Sequence, residues 1–113
     1  MSNWEIAEFS ITSGSEDEFE TRVLGSAPIF AAAEGCTALL LHRAVDVPGR
    51  FLLLIEWDSV AHHTEKFTAT EGFRTFVGLV TPLYAAEPRV YHTAAVPGGF
   101  WPGEAAAIRR TIP

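Results

Sequence analysis

Thiols, positive charge and long apolar runs are all scarce in this sequence, and each scarcity excludes something. A single cysteine, Cys36, rules out an internal disulfide and any metal site built on clustered thiolates. It follows Gly35 at the head of an apolar run, which places it as a buried thiol rather than a reactive one. Eight Lys and Arg face fourteen Asp and Glu, a net charge of -6, so the basic patches that nucleic acid or an anionic membrane would need are missing. The longest apolar run, Phe51 to Ile55, is far too short to span a bilayer, and the first residues carry no basic, apolar leader pattern. The expected location is cytoplasmic. There is no Gly-rich phosphate loop after a strand, no His-x-x-x-His pair with a third ligand and no nucleophile elbow, so no metal site is expected.

What is present suits one small domain. The chain has 113 residues, 48% hydrophobic and 19% charged, which is neither a disordered tail nor a membrane protein. A mean hydropathy of +0.16 is high for a chain of this size and hints that a partner covers part of its surface.

The pattern along the chain is that of alternating strands and helices. Trp4 to Thr12 reads as a strand carrying Ile6, Phe9 and Ile11. Ser15 followed by Glu18 is a capping-box pattern that opens a helix through Phe19, Val23, Phe30 and Ala33, with a break expected at Pro28 and a stop at Gly35. Cys36–Ala44 and Arg50–Trp57 form a hairpin around Pro48-Gly49. Asp58 and Ser59 precede a short helix from Val60 to about Phe67, and Thr70 caps a longer one with Phe73, Phe76, Val77, Val80 and Tyr84 on one face. A last strand is expected over Arg89–Val96, then an irregular Pro- and Gly-rich stretch and a helical turn or two near Glu104–Arg110.

This order, βαββααβ plus a tail, is the α+β ferredoxin-like split βαβ, a four-stranded antiparallel sheet with helices on one face. The domain is expected over residues 1–96, and residues 97–113 form a tail expected to reach a partner subunit. Ala38–Leu41 and Phe51–Ile55 do not alternate, so both sheet faces need cover. Homodimerisation through the sheets supplies it. Covering ~600 Å² of apolar surface per subunit is worth on the order of 15 kcal/mol before association costs. The rival is a monomer whose tail, through Phe100 and Trp101, folds over the sheet.

The candidate chemistry is a few polar groups in apolar company. His62 and His63 are adjacent on a helix, ~100° apart, so one faces inward and the other solvent. His63 shares a face with Phe67, and two readings stand for it: a buried neutral imidazole, or a general acid/base lining a cavity under the helices. His92 in the last strand and His42 in the hairpin are further imidazoles, and Glu8 and Glu56 are mid-strand carboxylates that line a cavity or a wet barrel end. Trp57 is a core anchor or a stacking platform, and Arg74 a surface charge or an anion clamp.

The stretch Glu56-Trp57-Asp58-Ser59-Val60-Ala61-His62-His63, with Phe67, Phe73 and Phe76, resembles the antibiotic biosynthesis monooxygenase family of dimeric α/β barrels. Gly35-Cys36, Phe51–Ile55 and Pro88-Arg89-Val90-Tyr91-His92 extend the likeness over about Trp4 to Thr93. The resemblance implies subunits joined through their sheets and an apolar cavity between sheet and helices. It implies oxygenation of aromatic polyketides or quinols without metal or flavin, so no cofactor. Other members degrade haem or isomerise small sugars. The polyketide-oxidising branch lines its pocket with a Trp, a polar residue six later and an Arg on the next helix, matching Trp57, His63 and Arg74. That branch has Asn where this chain has Leu53, and Tyr where it has His63. The quinol-oxidising His falls on Lys66, and the haem-ligating His of the long helix falls nearest Phe73 and Phe76. Trp57, His63, Phe67 and His92 together match a subgroup without a settled reaction.

The resulting expectation is a cofactor-independent enzyme for a small apolar, aromatic or enolisable substrate. His63, His92 and Arg74 are its catalytic groups, and Trp57, Phe67, Phe76, Leu53 and Tyr91 bind the substrate. A dimer that only binds a hydrophobic ligand, and a bare structural dimer, are the alternatives.

Overall fold

The computed structural model describes residues 2–112. Its first strand, β1 (Asn3–Ile11), alternates cleanly, with Glu5, Ala7, Phe9 and Ile11 buried and the intervening residues half-exposed. Helix α1 (Glu16–Gly25) follows Ser15, whose side chain makes no capping hydrogen bond, so the capping box is not formed. The acidic first turn still suits the helix N-terminus. The helix breaks at Ser26 rather than at Pro28. Ser26 returns its hydroxyl to the Arg22 carbonyl, and Pro28 sits in the first turn of α2 (Ala27–Ala31), where its missing N–H loses nothing.

The hairpin is formed by β2 (Cys36–Arg43) and β3 (Arg50–Trp57). Its turn is closed from the Arg50 N–H to the Val47 carbonyl, with Gly49 at φ +75°, a left-handed position that Gly takes without strain. Next comes a wide turn over His62–Lys66, a short 3-10 turn over Phe67–Ala69 and α3 (Glu71–Val80), capped by the Thr70 hydroxyl on the Phe73 N–H. The last strand, β4 (Tyr84–Thr93), starts five residues earlier than expected. Tyr84 therefore belongs to the sheet and not to α3, which Thr81 and Pro82 end. Pro88 is tolerated inside β4 because the strand lies on the sheet edge, and the β1–β4 register shifts between Glu8 and Ser10 nearby. A short α4 (Ala105–Arg109) lies in the tail.

The sheet order is β2-β3-β1-β4, all antiparallel, with the helices on one face: the ferredoxin-like α+β fold. Phe9, Phe19, Phe30, Phe51, Leu53 and Trp57 form the centre of the core between sheet and helices. The opposite face carries Trp4, Ile6, Leu52 and Leu54, all half-exposed, with Leu40 at 49% and Tyr91 at 39%. Phe100 and Trp101 are 61% and 77% exposed, so the tail does not bury them over that face. No helix of the described residues is long and apolar enough to cross a membrane.

Candidate functional site

The site is assembled where the start of β1, the end of β3, the end of β4 and the wide turn meet. Strand pairing brings the pieces together: Glu5 stands opposite Ile55 on β3 and opposite His92 on β4. The Phe67 N–H reaches back five residues to the His62 carbonyl, a π turn of the kind that redirects a side chain. It turns His63 inward, where it is buried, while the His62 ring lies over Gly35 and its Nδ1 meets the Ser59 hydroxyl at 2.8 Å. Gly35 is required there, because φ +81° suits glycine and a Cβ would collide with the His62 ring.

Four side chains then form one chain of contacts. The Trp57 indole N–H donates to Glu5 Oε1 at 3.0 Å. The same oxygen lies 3.4 Å from His63 Nε2. His63 Nδ1 lies 2.8 Å from His92 Nε2. The His63 ring stacks on Trp57, with planes 17° apart and centroids at 5.6 Å. Burial pushes the Glu5 carboxyl up to about 7, against the opposing hydrogen bond from Trp57. Burial, aided by His92, pushes His63 down to about 4. Both shifts have the same physical root: a site this dry favours the neutral form of each group over an ion pair.

Below this polar corner opens a cavity of about 390 Å³, within the range of small-molecule sites. Glu5 and His63 stand at one end, and Phe30, Leu53, Phe67 and Phe76 are among its apolar walls. Thr81 and Tyr84 also line it, near the Phe9 end of β1. Among the described residues, no Lys or Arg lines it.

The expected site residues sort as follows. His63, Leu53, Phe67 and Phe76 line the cavity. His92 touches His63 from behind and does not line it. Trp57 is fully buried behind His63 and positions Glu5 rather than meeting a ligand, which corrects its placement as a stacking platform. Arg74 is also corrected. It follows Phe73 by one residue, ~100° around α3, so it points outward and pairs with Glu71 at 3.0 Å. Tyr91 lies on the other sheet face, because its neighbours Val90 and His92 point to the helices; Arg89 stacks on its ring.

Glu5 is the residue that sequence reasoning missed. Its signal was the period of β1, where it is in phase with Ala7, Phe9 and Ile11 and therefore on the core side. Glu8 and Glu56, singled out instead, fall on the other face; Glu56 there accepts from Ser2 and Thr37. His42, also on that face and opposite Leu52, is exposed. The 2.8 Å spacing between His63 and His92 is that of a hydrogen bond. Two nitrogens each about 2.0–2.1 Å from one tetrahedral ion would stand further apart.

A family profile described as "Antibiotic biosynthesis monooxygenase" matches residues 4–79, which hold Glu5, Trp57 and His63. The chain belongs to the antibiotic biosynthesis monooxygenase family. The Bacillus subtilis (strain 168) protein YczJ is 31% identical over 88 residues, spanning 78% of this chain and 93% of its own length. A solved Bordetella bronchiseptica structure, described as an antibiotic biosynthesis monooxygenase, is 33% identical with a TM-score of 0.82. That match covers 84% of this chain and 97% of the other. SnoaB, a cofactor-independent oxygenase from Streptomyces nogalater, superposes with a TM-score of 0.72 at 19% identity, over 83% of this chain and 92% of its own. At that identity the likeness is one of fold. In this chain a carboxyl group, Glu5, stands at the head of the cavity.

Proposed function

We propose that this protein is a cofactor-independent enzyme that removes a proton from a small, neutral, apolar substrate of aromatic or enolisable type, with Glu5 as the base. The observation that carries the reading is the arrangement of the Glu5 carboxyl. Its Oε1 is engaged by Trp57 and faces His63, and both ring nitrogens of His63 are directed at protein groups. Glu5 Oε2 has no hydrogen-bond partner among the described residues, yet no occluded side-chain oxygen there lacks one, so Oε2 is open to the cavity that Glu5 lines. It is the free acceptor of the dyad. A carboxyl held near 7 is matched to taking up a proton at neutral pH. Among the described residues no Lys or Arg lines the cavity, which favours a neutral ligand over a carboxylate or phosphate.

The chemistry follows from that proton. Oε2 takes a proton from an acidic C–H, leaving an enolate or phenolate-stabilised carbanion in a dry pocket. Dioxygen accepts its electrons and forms a C–O bond as a peroxide anion, to which Glu5 returns the proton. Loss of the remaining C–H proton with departing hydroxide gives a ketone or quinone and one water. Without dioxygen, return of the proton at another carbon is an isomerisation. The family assignment and the oxygenase among the structural relatives support the oxygenating branch.

The apolar sheet face supports a homodimer joined through the sheets, with Trp4, Ile6, Leu52 and Leu54 at its centre and the exposed Phe100 and Trp101 of the tail reaching the partner. The test is a set of neutral polycyclic phenols and 1,3-diketones incubated with the protein in heavy water under air or argon. Deuterium uptake or oxygen incorporation that falls by ~100-fold or more in Glu5→Gln is the expected result. Ligand binding with no turnover by either protein would make this a binding dimer instead.

A further inference from the structure

We infer that His92 is a positioning residue: from the edge strand it decides which nitrogen of His63 carries the proton, and through His63 whether Glu5 is held as carboxylate or as acid. The inference rests on the reading of Glu5 as the base of the cavity and adds to it a residue that no ligand in the cavity touches. Its warrant is the line Trp57–Glu5–His63–His92, two hydrogen bonds of 3.0 and 2.8 Å joined by a 3.4 Å contact between Glu5 Oε1 and His63 Nε2.

A neutral imidazole has one donor and one acceptor nitrogen, so a bond made at one nitrogen dictates what the other can do. Two arrangements satisfy every group. With Glu5 ionised, Oε1 accepts from Trp57 Nε1–H and from His63 Nε2–H, and His63 Nδ1 accepts from His92 Nε2–H. With Glu5 protonated at Oε1, the acid donates to His63 Nε2, and His63 Nδ1–H donates to His92 Nε2. The second becomes the first when three protons each move one step. One passes from Oε1 to His63 Nε2, one from His63 Nδ1 to His92 Nε2, and one from His92 Nδ1 to water. One proton is released in all, and His63 is neutral at both ends.

His92 suits this part because it is half-exposed, so its far nitrogen can exchange with solvent while its near one stays bonded. A lysine could only donate in its place, and an ionised carboxylate only accept. Among the described residues, the titratable groups facing His92 are His63, by its hydrogen bond, and Glu5, opposite it across the β1–β4 pair. Arg89 and Tyr91, on the same strand, point to the other face. The alternative is a His63 imidazolium paired with Glu5 carboxylate. Burial of both groups opposes that ion pair.

The experiment is a pH titration of the full chain carrying ¹⁵N-histidine and ¹³C-carboxyl glutamate, read by two-bond ¹⁵N–¹H correlation and carboxyl shift. Expected in the wild type is one common midpoint at which Glu5 titrates and the His63 proton changes nitrogen, the ring carrying one proton throughout that step. His92→Gln, whose amide both donates and accepts, should keep the exchange. His92→Leu should freeze His63 in one tautomer and move the Glu5 midpoint by about one pH unit or more. A His63 doubly protonated at the Glu5 midpoint, a tautomer unchanged through that midpoint, or identical behaviour of the two variants would overturn the inference. The wild-type spectra decide even where a variant does not fold. Turnover surviving Glu5→Gln would instead sink the base assignment and leave the tautomer result standing.

Discussion

His63 lies flat against Trp57, ring planes 17° apart, while the Trp57 N–H holds the carboxyl oxygen of Glu5 that His63 faces. One indole thus fixes both partners of the dyad: its face sets the tilt of the imidazole, and its edge sets the carboxyl. Neither ring can turn without the other losing a contact, and the Trp57 side chain is itself fully buried.

Trp57→Phe should keep the stack and remove the donor. The Trp57 hydrogen bond holds Glu5 below where burial alone would put it, so the carboxyl should titrate higher still. The acidic limb of activity, where Glu5 becomes protonated, is expected to move to higher pH, with a stability loss of about 1–3 kcal/mol from the smaller ring and lost bond. A pH–rate profile and thermal melts check both.

Stability should depend on pH through two opposed groups. Glu5 is raised from 4.5 to about 7 in the fold, so its contribution is fully present below 4.5 and lost as pH rises to 7. His63 is lowered from 6.5 to about 4, so its contribution is present above 6.5 and lost as pH falls towards 4. Each spans roughly 3 kcal/mol by the shift involved, and they offset one another between about 4.5 and 6.5. Glu5→Gln removes one limb. Its melting temperature should rise with pH across that window, while the wild type stays nearly level; parallel curves would contradict the assignment.

Leu53→Phe should fill the cavity beside Phe76 without touching Glu5. Binding of a fluorescent neutral naphthol is expected to weaken at least tenfold, with overpacking costing about 1–3 kcal/mol of stability. Arg74→Ala, removing an exposed partner of Glu71, should leave binding unchanged and alter stability by less than ~0.5 kcal/mol.

Leu54→Arg puts a charge at the centre of the bare sheet face, on β3 opposite Ile6 and Leu40. Sedimentation should show a dimer for the wild type and a monomer for the variant. A wild-type monomer would refute association through the sheets.

Most of the architecture was legible, because hydrophobic period and turn chemistry are local. The hairpin at Pro48-Gly49 and the Thr70 cap follow from residues close in sequence, as does the division of His62 and His63 between two faces. The π turn decides that His63 is the inward one. The misreadings came from competition between signals. Tyr84 continues the apolar spacing of α3, but Thr81 and Pro82 end that helix and pass Tyr84 to β4. Arg74 and Tyr91 each sit one residue from a side chain that does face the cavity, and one residue is a different face in a helix or a strand. Glu5 escaped because a carboxylate in the core phase of a strand contradicts its own chemistry until Trp57 and His63, more than fifty residues away, are placed beside it.

The turn at His62–Lys66 has a further consequence. Its hydrogen bond spans one residue more than an ordinary helical turn, so His63 faces Glu5 by virtue of chain length as well as of identity. Deleting a single residue here would rotate what precedes or follows it by ~100° and bring a different side chain to the head of the cavity. The chemistry at that position is therefore open to change by a one-codon deletion that leaves the four strands of the sheet untouched.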